Sequence, residues 1–166
     1  MHWLVDGYNV IRRAPELSAR ERESLQAGRE ALCRLLSMAA RHSGDRFTVV
    51  FDGAQGGGSV PGGPGVRVIF SSRRERADDV LARMATSGGA VVSNDRELRQ
   101  AAVRGGAIAI PADEFLARLT RVSRPRVPDK DEEADVEPRE KKGNPRRLPK
   151  KARAAARALR RLGGSA

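Results

Sequence analysis

Trp3-Leu4-Val5-Asp6-Gly7-Tyr8-Asn9 sets the reading of this chain. Three apolar residues read as the end of a short buried strand, and a carboxylate followed by glycine stands directly after them. A charge placed there falls on the C-terminal rim of the strand, where open α/β sheets hold their ligands. Asp-Gly is also ordinary turn chemistry, so one such aspartate decides nothing. The chain, however, repeats the arrangement. Phe47-Thr48-Val49-Val50-Phe51 is a second apolar, β-branched run, closed by Asp52-Gly53. Ala90-Val91-Val92-Ser93 is another, followed by Asn94-Asp95.

The intervening segments supply the remaining layers. Arg12 to Leu17 read as a connection. Ser18 and Glu21 have the spacing of a capping box, which predicts a helix carrying Leu25, Leu32, Leu35, Leu36 and Ala39 on one face and ending near Gly44. Residues 53–65, mostly Gly with Pro and Ser, read as a flexible loop. Val66 to Phe70 form a third strand whose direction the sequence leaves open. Ser72 and Glu75 form a second capping box, predicting a helix to about Thr86. At about 100° per residue, Ala77, Val80, Leu81 and Met84 turn inward, Asp78 lies at the flank of that face, and Asp79 points to solvent. Asn94 and Glu97 are placed to cap the next helix, Ala107 to Ile110 make a fifth strand, and Pro111 and Asp113 start a last helix. Alternating strands and helices imply a Rossmann-type three-layer α/β sandwich with a mostly parallel five-stranded sheet. Right-handed crossovers give it the order 3-2-1-4-5.

Composition adds an electrostatic character. The 166 residues are 39% hydrophobic but only 4% aromatic, so aliphatics and alanine must fill the core. The net charge of +11 favours polyanionic partners, nucleic acid before an anionic membrane surface. Residues 121–166 hold 15 Lys/Arg against 7 Asp/Glu, which is most of that excess. The expected organisation is a domain over 1–121, a disordered, charged, Pro-rich linker over 122–149, and a basic amphipathic helix or tail over 150–166. In that helix Ala152, Ala155, Leu159 and Leu162 form a narrow stripe. Cys33 is the single cysteine, which excludes an intramolecular disulfide and a cysteine-based zinc site, and it reads as a buried thiol. No apolar run approaches a membrane span, and a strand beginning within three residues leaves no room for a signal peptide. The chain is expected to be cytoplasmic.

The chemistry is expected where the acids converge. In the 3-2-1-4-5 order, the first and fourth strands are neighbours at the topological switch point. Asp6 and Asp95 then face each other across the crevice, with Asp52 and Asp78 beside them. Four carboxylates in one cleft repel, which raises some of their pKa values unless cations lie between them. Such oxygen-rich clusters suit Mg²⁺ or Mn²⁺. Each acid also has an ordinary role available to it, as a turn former, a helix cap or a flank charge; the shared rim is what favours a metal site. Other phosphate chemistries fit less well. The turn after the first strand lacks dinucleotide-fold glycine spacing, and Gly56-Gly57-Gly58 leads into no helix and no Lys-Ser/Thr. A phosphoacceptor receiver would want paired acids where Gly7 stands and a lysine where Pro111 stands. His2 reads as a surface or strand-edge residue.

Asp6-Gly7-Tyr8-Asn9, Phe51-Asp52-Gly53, Ala77-Asp78 and Ser93-Asn94-Asp95 occur in the order and setting of the NYN domain. In this respect the chain resembles the PIN-like nuclease superfamily, and within it the YacP-like branch, which includes a ribosome-associated endoribonuclease that cuts mRNA. The resemblance covers roughly residues 1–120 and extends to Asp113-Glu114-Phe115. It implies that Asp6, Asp52, Asp78 and Asp95 are catalytic, metal-binding acids, that Asn9 and Ser93 support the site, and that cleavage leaves a 5′-phosphate. The glycine-rich loop after Asp52 and the long charged tail exceed the family's pattern.

Arginines are the expected RNA contacts. Arg12 and Arg13 follow the first strand, Arg73, Arg74 and Arg76 precede Asp78, and Arg96 adjoins Asp95, all suited to phosphate oxygens. Lys150, Lys151, Arg153, Arg157, Arg160 and Arg161 give the tail helix its basic faces, suited to RNA, a ribosomal surface or acidic lipid. Tyr8 is the one aromatic near the site that could stack on a base, so little sequence specificity is expected. The function read from the sequence is a metal-dependent endoribonuclease acting on RNA, with mRNA and the ribosome as partners. The alternative is a non-catalytic RNA- or ribosome-binding protein that uses the basic tail.

Overall fold

A computed structural model describes residues 1–53, 58–123 and 149–162. In chain order the elements are β1 (His2–Asp6), α1 (Gly7–Arg13), α2 (Pro15–Glu23), α3 (Leu25–Ser43), β2 (Arg46–Phe51), β3 (Gly58–Gly63), β4 (Val66–Phe70), α4 (Ala77–Ala85), β5 (Ala90–Val92), α5 (Arg96–Arg104), β6 (Ile108–Ile110), α6 (Ala112–Ser123) and α7 (Lys150–Leu162). The sheet runs β3-β4-β2-β1-β5-β6. Every neighbouring pair is parallel except β3 with β4. The five strands expected from sequence stand in the expected order, and β4 is parallel to β2.

The sixth strand is a correction. Part of the glycine-rich stretch read as loop forms β3, pairing antiparallel with β4 from Gly58–Phe70 to Gly63–Val66, with a register shift between Pro61 and Gly63. A sheet edge tolerates a proline that cannot donate. Across the pair, Arg67 Nε donates to Ser59 Oγ at 2.7 Å. This hairpin also explains why β2 and β4 run parallel with no helix between them: β3 carries the chain back.

The sheet's period-2 alternation sorts the core onto two faces. Trp3, Val5, Phe47, Val49 and Phe51 pack with α1, α3, α6 and α7, whereas Leu4, Val50 and Val91 pack under Val80, Leu81 and Leu98 of α4 and α5. The few aromatics are concentrated on the first face, with the Trp3 and Phe115 ring centroids 5.4 Å apart.

Helix starts differ from the sequence reading. The segment after β1 is helix rather than connection: α1 starts at Gly7 with Asp6 as its cap, and α2 starts at Pro15, whose fixed φ suits a first helical position. Ser18 and Glu21 therefore lie inside α2 and form no capping box. Ser24 caps α3 instead, accepting from the Ala27 N–H at 3.0 Å. Leu25, in the first turn of α3, is 51% exposed rather than core. Gly44 closes that helix in the left-handed conformation, φ 69°, as expected. Ser72 and Glu75 sit on opposite sides of a tight turn, and α4 starts only at Ala77. The exposed Asp79 is not idle there, since its carboxylate accepts from the Arg76 N–H at 3.2 Å.

Lys150–Leu162 form α7, which packs on the first-face core. Ala155, Ala158 and Leu162 are buried in the first-face core, while Ala152 is exposed. Arg118 Nε donates to the Leu159 carbonyl at 3.0 Å. The buried Asp45 carboxylate receives the Met1 ammonium and the Trp3 indole N–H at 2.9 Å, and lies 3.5 Å from Arg161 Nε of α7. Of the stretch expected to be a linker, residues 122 and 123 complete α6 and 124–148 lie outside the described residues.

Candidate active site

Asp6 ends β1, and the chain turns at once into α1, so its carboxylate accepts from the Asn9 N–H at 3.3 Å. Its other oxygen accepts from the Ser93 hydroxyl at 2.9 Å. Ser93, fully buried just past β5, also accepts from the Asp95 N–H at 3.0 Å. A single hydroxyl thus links the two rim acids across the β1–β5 switch point. Asp95 caps α5 through the Leu98 N–H at 2.8 Å, a role the sequence had assigned to Asn94. A carboxylate at that position also meets the positive end of the helix. Asn94 does other work. Its N–H donates to Asn9 Oδ1 at 2.9 Å, its amide donates to Asp113 at 2.6 Å, and its Oδ1 accepts from the Ala112 N–H at 2.8 Å. Asn9 and Asn94 therefore hold the ends of β1 and β5 to the start of α6.

Asp52 is exposed at the end of β2. Its Oδ1 accepts from the Ala77 N–H at 3.0 Å and from the Ser71 hydroxyl at 3.2 Å. Ser71 is buried and also accepts from the Gly53 N–H at 3.2 Å. A Cβ on Gly53 would lie 2.4 Å from the Ser71 carbonyl oxygen, so only glycine allows this approach. These contacts hold the start of α4 against the β2 rim and bring Asp78 to the acids. Ser71 did not stand out in the sequence. Its only signal was a hydroxyl directly after an apolar strand, the same position that Ser93 occupies after β5.

The acids are electrostatically joined. Burial pushes the Asp6 carboxyl above its ordinary pKa; hydrogen bonds from Ser93 and Asn9 oppose that, and the charges of Asp78 and Asp52 add to it. Burial also raises Asp78, followed by Asp95, with Asp52 and Asp79 adding to the rise; the Arg76 guanidinium, 3.6 Å away, opposes it. Such a cluster is relieved by cations, and its hard carboxylate oxygens match Mg²⁺ or Mn²⁺ in kind. Among the described residues, no group of three or more His, Cys, Asp or Glu side chains converges closely enough to enclose one ion. The donor set fits a hard cation; the side chains as they stand are spread along the rim. Asp78 and Asp95 face each other over a cleft of about 300 Å³ between α4 and α5, edged by Arg76 and Arg104.

Gly7 is required by packing, since a Cβ there would lie 2.2 Å from the Phe51 ring. Tyr8 is less free than its sequence position implied. Its ring packs edge-on to Phe51 at 5.0 Å, and its hydroxyl accepts from Arg29, whose guanidinium lies over the rings of Tyr8, Phe51 and Phe70. The candidate RNA contacts are dispersed. Arg12 lies 5.4 Å over the Tyr8 ring and 3.6 Å from Glu21, while Arg13, Arg73 and Arg74 are exposed. Arg96, Lys150 and Lys151 face a second groove, Arg153, Arg157 and Arg160 are exposed along α7, and Arg161 is engaged by Asp45.

Comparison with known proteins places this fold in a family. Residues 3–161 match the YacP-like NYN domain. The chain belongs to that family. The family falls within the PIN-like nuclease superfamily, and the matched span runs through α7. YacP of Bacillus subtilis (strain 168) is 32% identical over 84 residues, 49% of each chain. The match thus spans about half the length of that curated relative. Over more of the fold, the chain is similar to a Trp-to-Leu variant of Rae1 (YacP) from Bacillus subtilis. That likeness has a TM-score of 0.63 at 27% identity, covering 73% of this chain and 75% of that one. A second Rae1 (YacP) crystal structure gives a TM-score of 0.57 at 27% identity, over 73% and 74%. No helix of the described residues is long and apolar enough to cross a membrane.

Proposed function

We propose that this member of the YacP-like NYN family is a divalent-metal-dependent endoribonuclease that hydrolyses RNA phosphodiesters, with mRNA on or near the ribosome as its substrate. The observation that supports this reading is the Ser93 bridge from the Asp6 carboxylate to the Asp95 N–H at the switch point, with the charges of Asp78 and Asp52 acting on Asp6 and those of Asp95 and Asp52 on Asp78. Mg²⁺ or Mn²⁺ held by Asp6, Asp52, Asp78 and Asp95 would supply Lewis acidity and a hydroxide nucleophile at neutral pH. The chain's own residues orient the site. Ser93 and Asn9 fix both oxygens of Asp6, Ser71 and the Ala77 N–H fix Asp52, and the Leu98 N–H fixes Asp95. The net charge of +11 suits a polyanionic substrate.

The test is cleavage of a labelled single-stranded RNA with Mn²⁺ or Mg²⁺, comparing the natural chain with Asp6→Asn and Asp95→Asn. Internal cuts carrying 5′-phosphates, lost in both variants and with chelator, are the expected result. Cuts that persist unchanged in both variants, or intact RNA on free substrate and on translating ribosomes alike, would overturn the reading in favour of a binding protein.

A further inference from the structure

We propose that the groove between α5, β6 and α7 is a binding track for single-stranded RNA that leads to the acid rim. Its destination rests on the nuclease reading; its existence as an RNA site does not.

The groove, about 1210 Å³, is the larger of the two hollows beside α5. Arg96, Arg99 and Arg104 line it from α5, and Lys150 and Lys151 from the start of α7, against one lining acid, Glu114. Small apolar residues form its floor, with Ala107, Ile108 and Ala109 from the β6 side and Ala155 and Leu159 from α7. A row of cations above an alkyl floor matches a chain that is charged along one edge and flat and weakly polar along the other. A nucleic-acid strand has that cross-section. No aromatic side chain lines the groove, so binding is expected to be neutral to base identity.

The cations are not there to hold the helix on. The docking of α7 uses other residues: Arg118 on its carbonyls, Arg161 on Asp45, and buried Ala155, Ala158 and Leu162. Among the described residues, Arg96, Arg104, Lys150 and Lys151 make no ion pair. Lys150 and Lys151 also occupy the first turn of α7, which holds no acid, and there the helix dipole opposes positive charge. Their placement costs helix stability, which an anion seated in the groove would offset.

The groove and the acid cleft flank the same helix, α5. Arg104 lines both, and at the other end of α5 Asp95 lines the cleft while the next residue, Arg96, lines the groove. At nine residues, α5 is a ridge only about 13 Å long, so a strand in the groove reaches the rim by passing one helix end. The expected basic anchor is thus one wall of a track, and Arg99 and Arg104 of α5 join the residues expected to contact RNA.

The experiment is fluorescence anisotropy of a labelled single-stranded RNA with the full chain in EDTA, with intact RNA verified on a gel, across a series of KCl concentrations. The natural chain is compared with an Arg104→Gln, Lys150→Gln, Lys151→Gln variant and with a matched-charge control away from the groove, Arg22→Gln, Arg41→Gln, Arg46→Gln. All six side chains are exposed, so folding is preserved, and circular dichroism verifies it. The groove variant is expected to bind at least tenfold more weakly in 0.1 M KCl, with a salt slope shallower by about 2, and the control to change much less. Equal losses in both variants would reduce the effect to net charge and overturn the track. So would unchanged RNA affinity accompanied by lost binding to phosphatidylserine vesicles. Failure of the nuclease reading shows separately: RNA left whole with Mn²⁺, while the groove variant still loses affinity, removes the enzyme and keeps the track.

Discussion

Ser93→Ala removes one oxygen atom and should disturb the site more than any other change of that size. Ser93 is fully buried, and its hydroxyl serves Asp6 at 2.9 Å and the Asp95 N–H at 3.0 Å. A hydrogen bond to a charged group contributes roughly 1.5–3 kcal/mol, and the amide bond to Asp95 adds about 1 kcal/mol. The sign with pH follows from Asp6. Its folded pKa lies above the ordinary value, so the folded state holds that proton more tightly than the unfolded chain. Asp6 therefore subtracts from stability as pH rises through its folded pKa. Ser93 lowers that pKa, so deleting the hydroxyl raises it further and enlarges the loss at alkaline pH. Urea unfolding should show a loss of about 2–4 kcal/mol at pH 8 and a smaller one at pH 4, where more of Asp6 is protonated. In an Asp6→Asn background the effect of Ser93→Ala should shrink by about 1 kcal/mol or more, the signature of direct coupling. Equal losses at both pH values, together with no coupling, would refute the assignment of Ser93 as the hinge of the site.

Two further outcomes follow from the geometry. Gly7→Ala would place a methyl 2.2 Å from the Phe51 ring, and overpacking of that kind costs roughly 1–3 kcal/mol, so thermal unfolding should show a Tm several degrees lower. A Tm at or above that of the natural chain would mean that the ring yields freely. Asp45→Asn leaves the Met1 ammonium and Arg161 without their buried anion, at a cost of about 3 kcal/mol. Limited proteolysis should then release α7 first, and an α7 that stays as resistant as before would count against Asp45 as its anchor.

What the sequence disclosed about the fold is what periodicity and position can carry. Five apolar runs, the helices between them and the placing of Asp6, Asp52 and Asp95 on strand ends were legible, because side-chain alternation and burial write them locally. Features whose cause is tertiary were not. Gly58–Gly63 has the composition of a loop, and only pairing with β4 makes it a strand. Ser18 with Glu21 and Ser72 with Glu75 have capping-box spacing, but Pro15 had already started α2, and Asp52 had fixed the start of α4 by accepting from Ala77 N–H. Asn94 looked like the cap because it comes first; Asp95 takes that place once Asn94 is drawn to Asp113 and Ala112. Ser71 and the groove beside α7 depend on which segments meet in space, and no local pattern announces either.

The Ser93–Asp6 bond also has a consequence for how the protein comes into being. Its two ends are 87 residues apart in the chain, and they meet only when β5 docks beside β1. A growing polypeptide that has emerged as far as Gly89 already carries Asp6, Asp52 and Asp78, yet has neither Ser93 nor Asp95 to assemble them. The rim is therefore assembled only once β5 has been made, and a chain that stops at Gly89 carries three of its acids without the hydroxyl that links Asp6 to the start of α5.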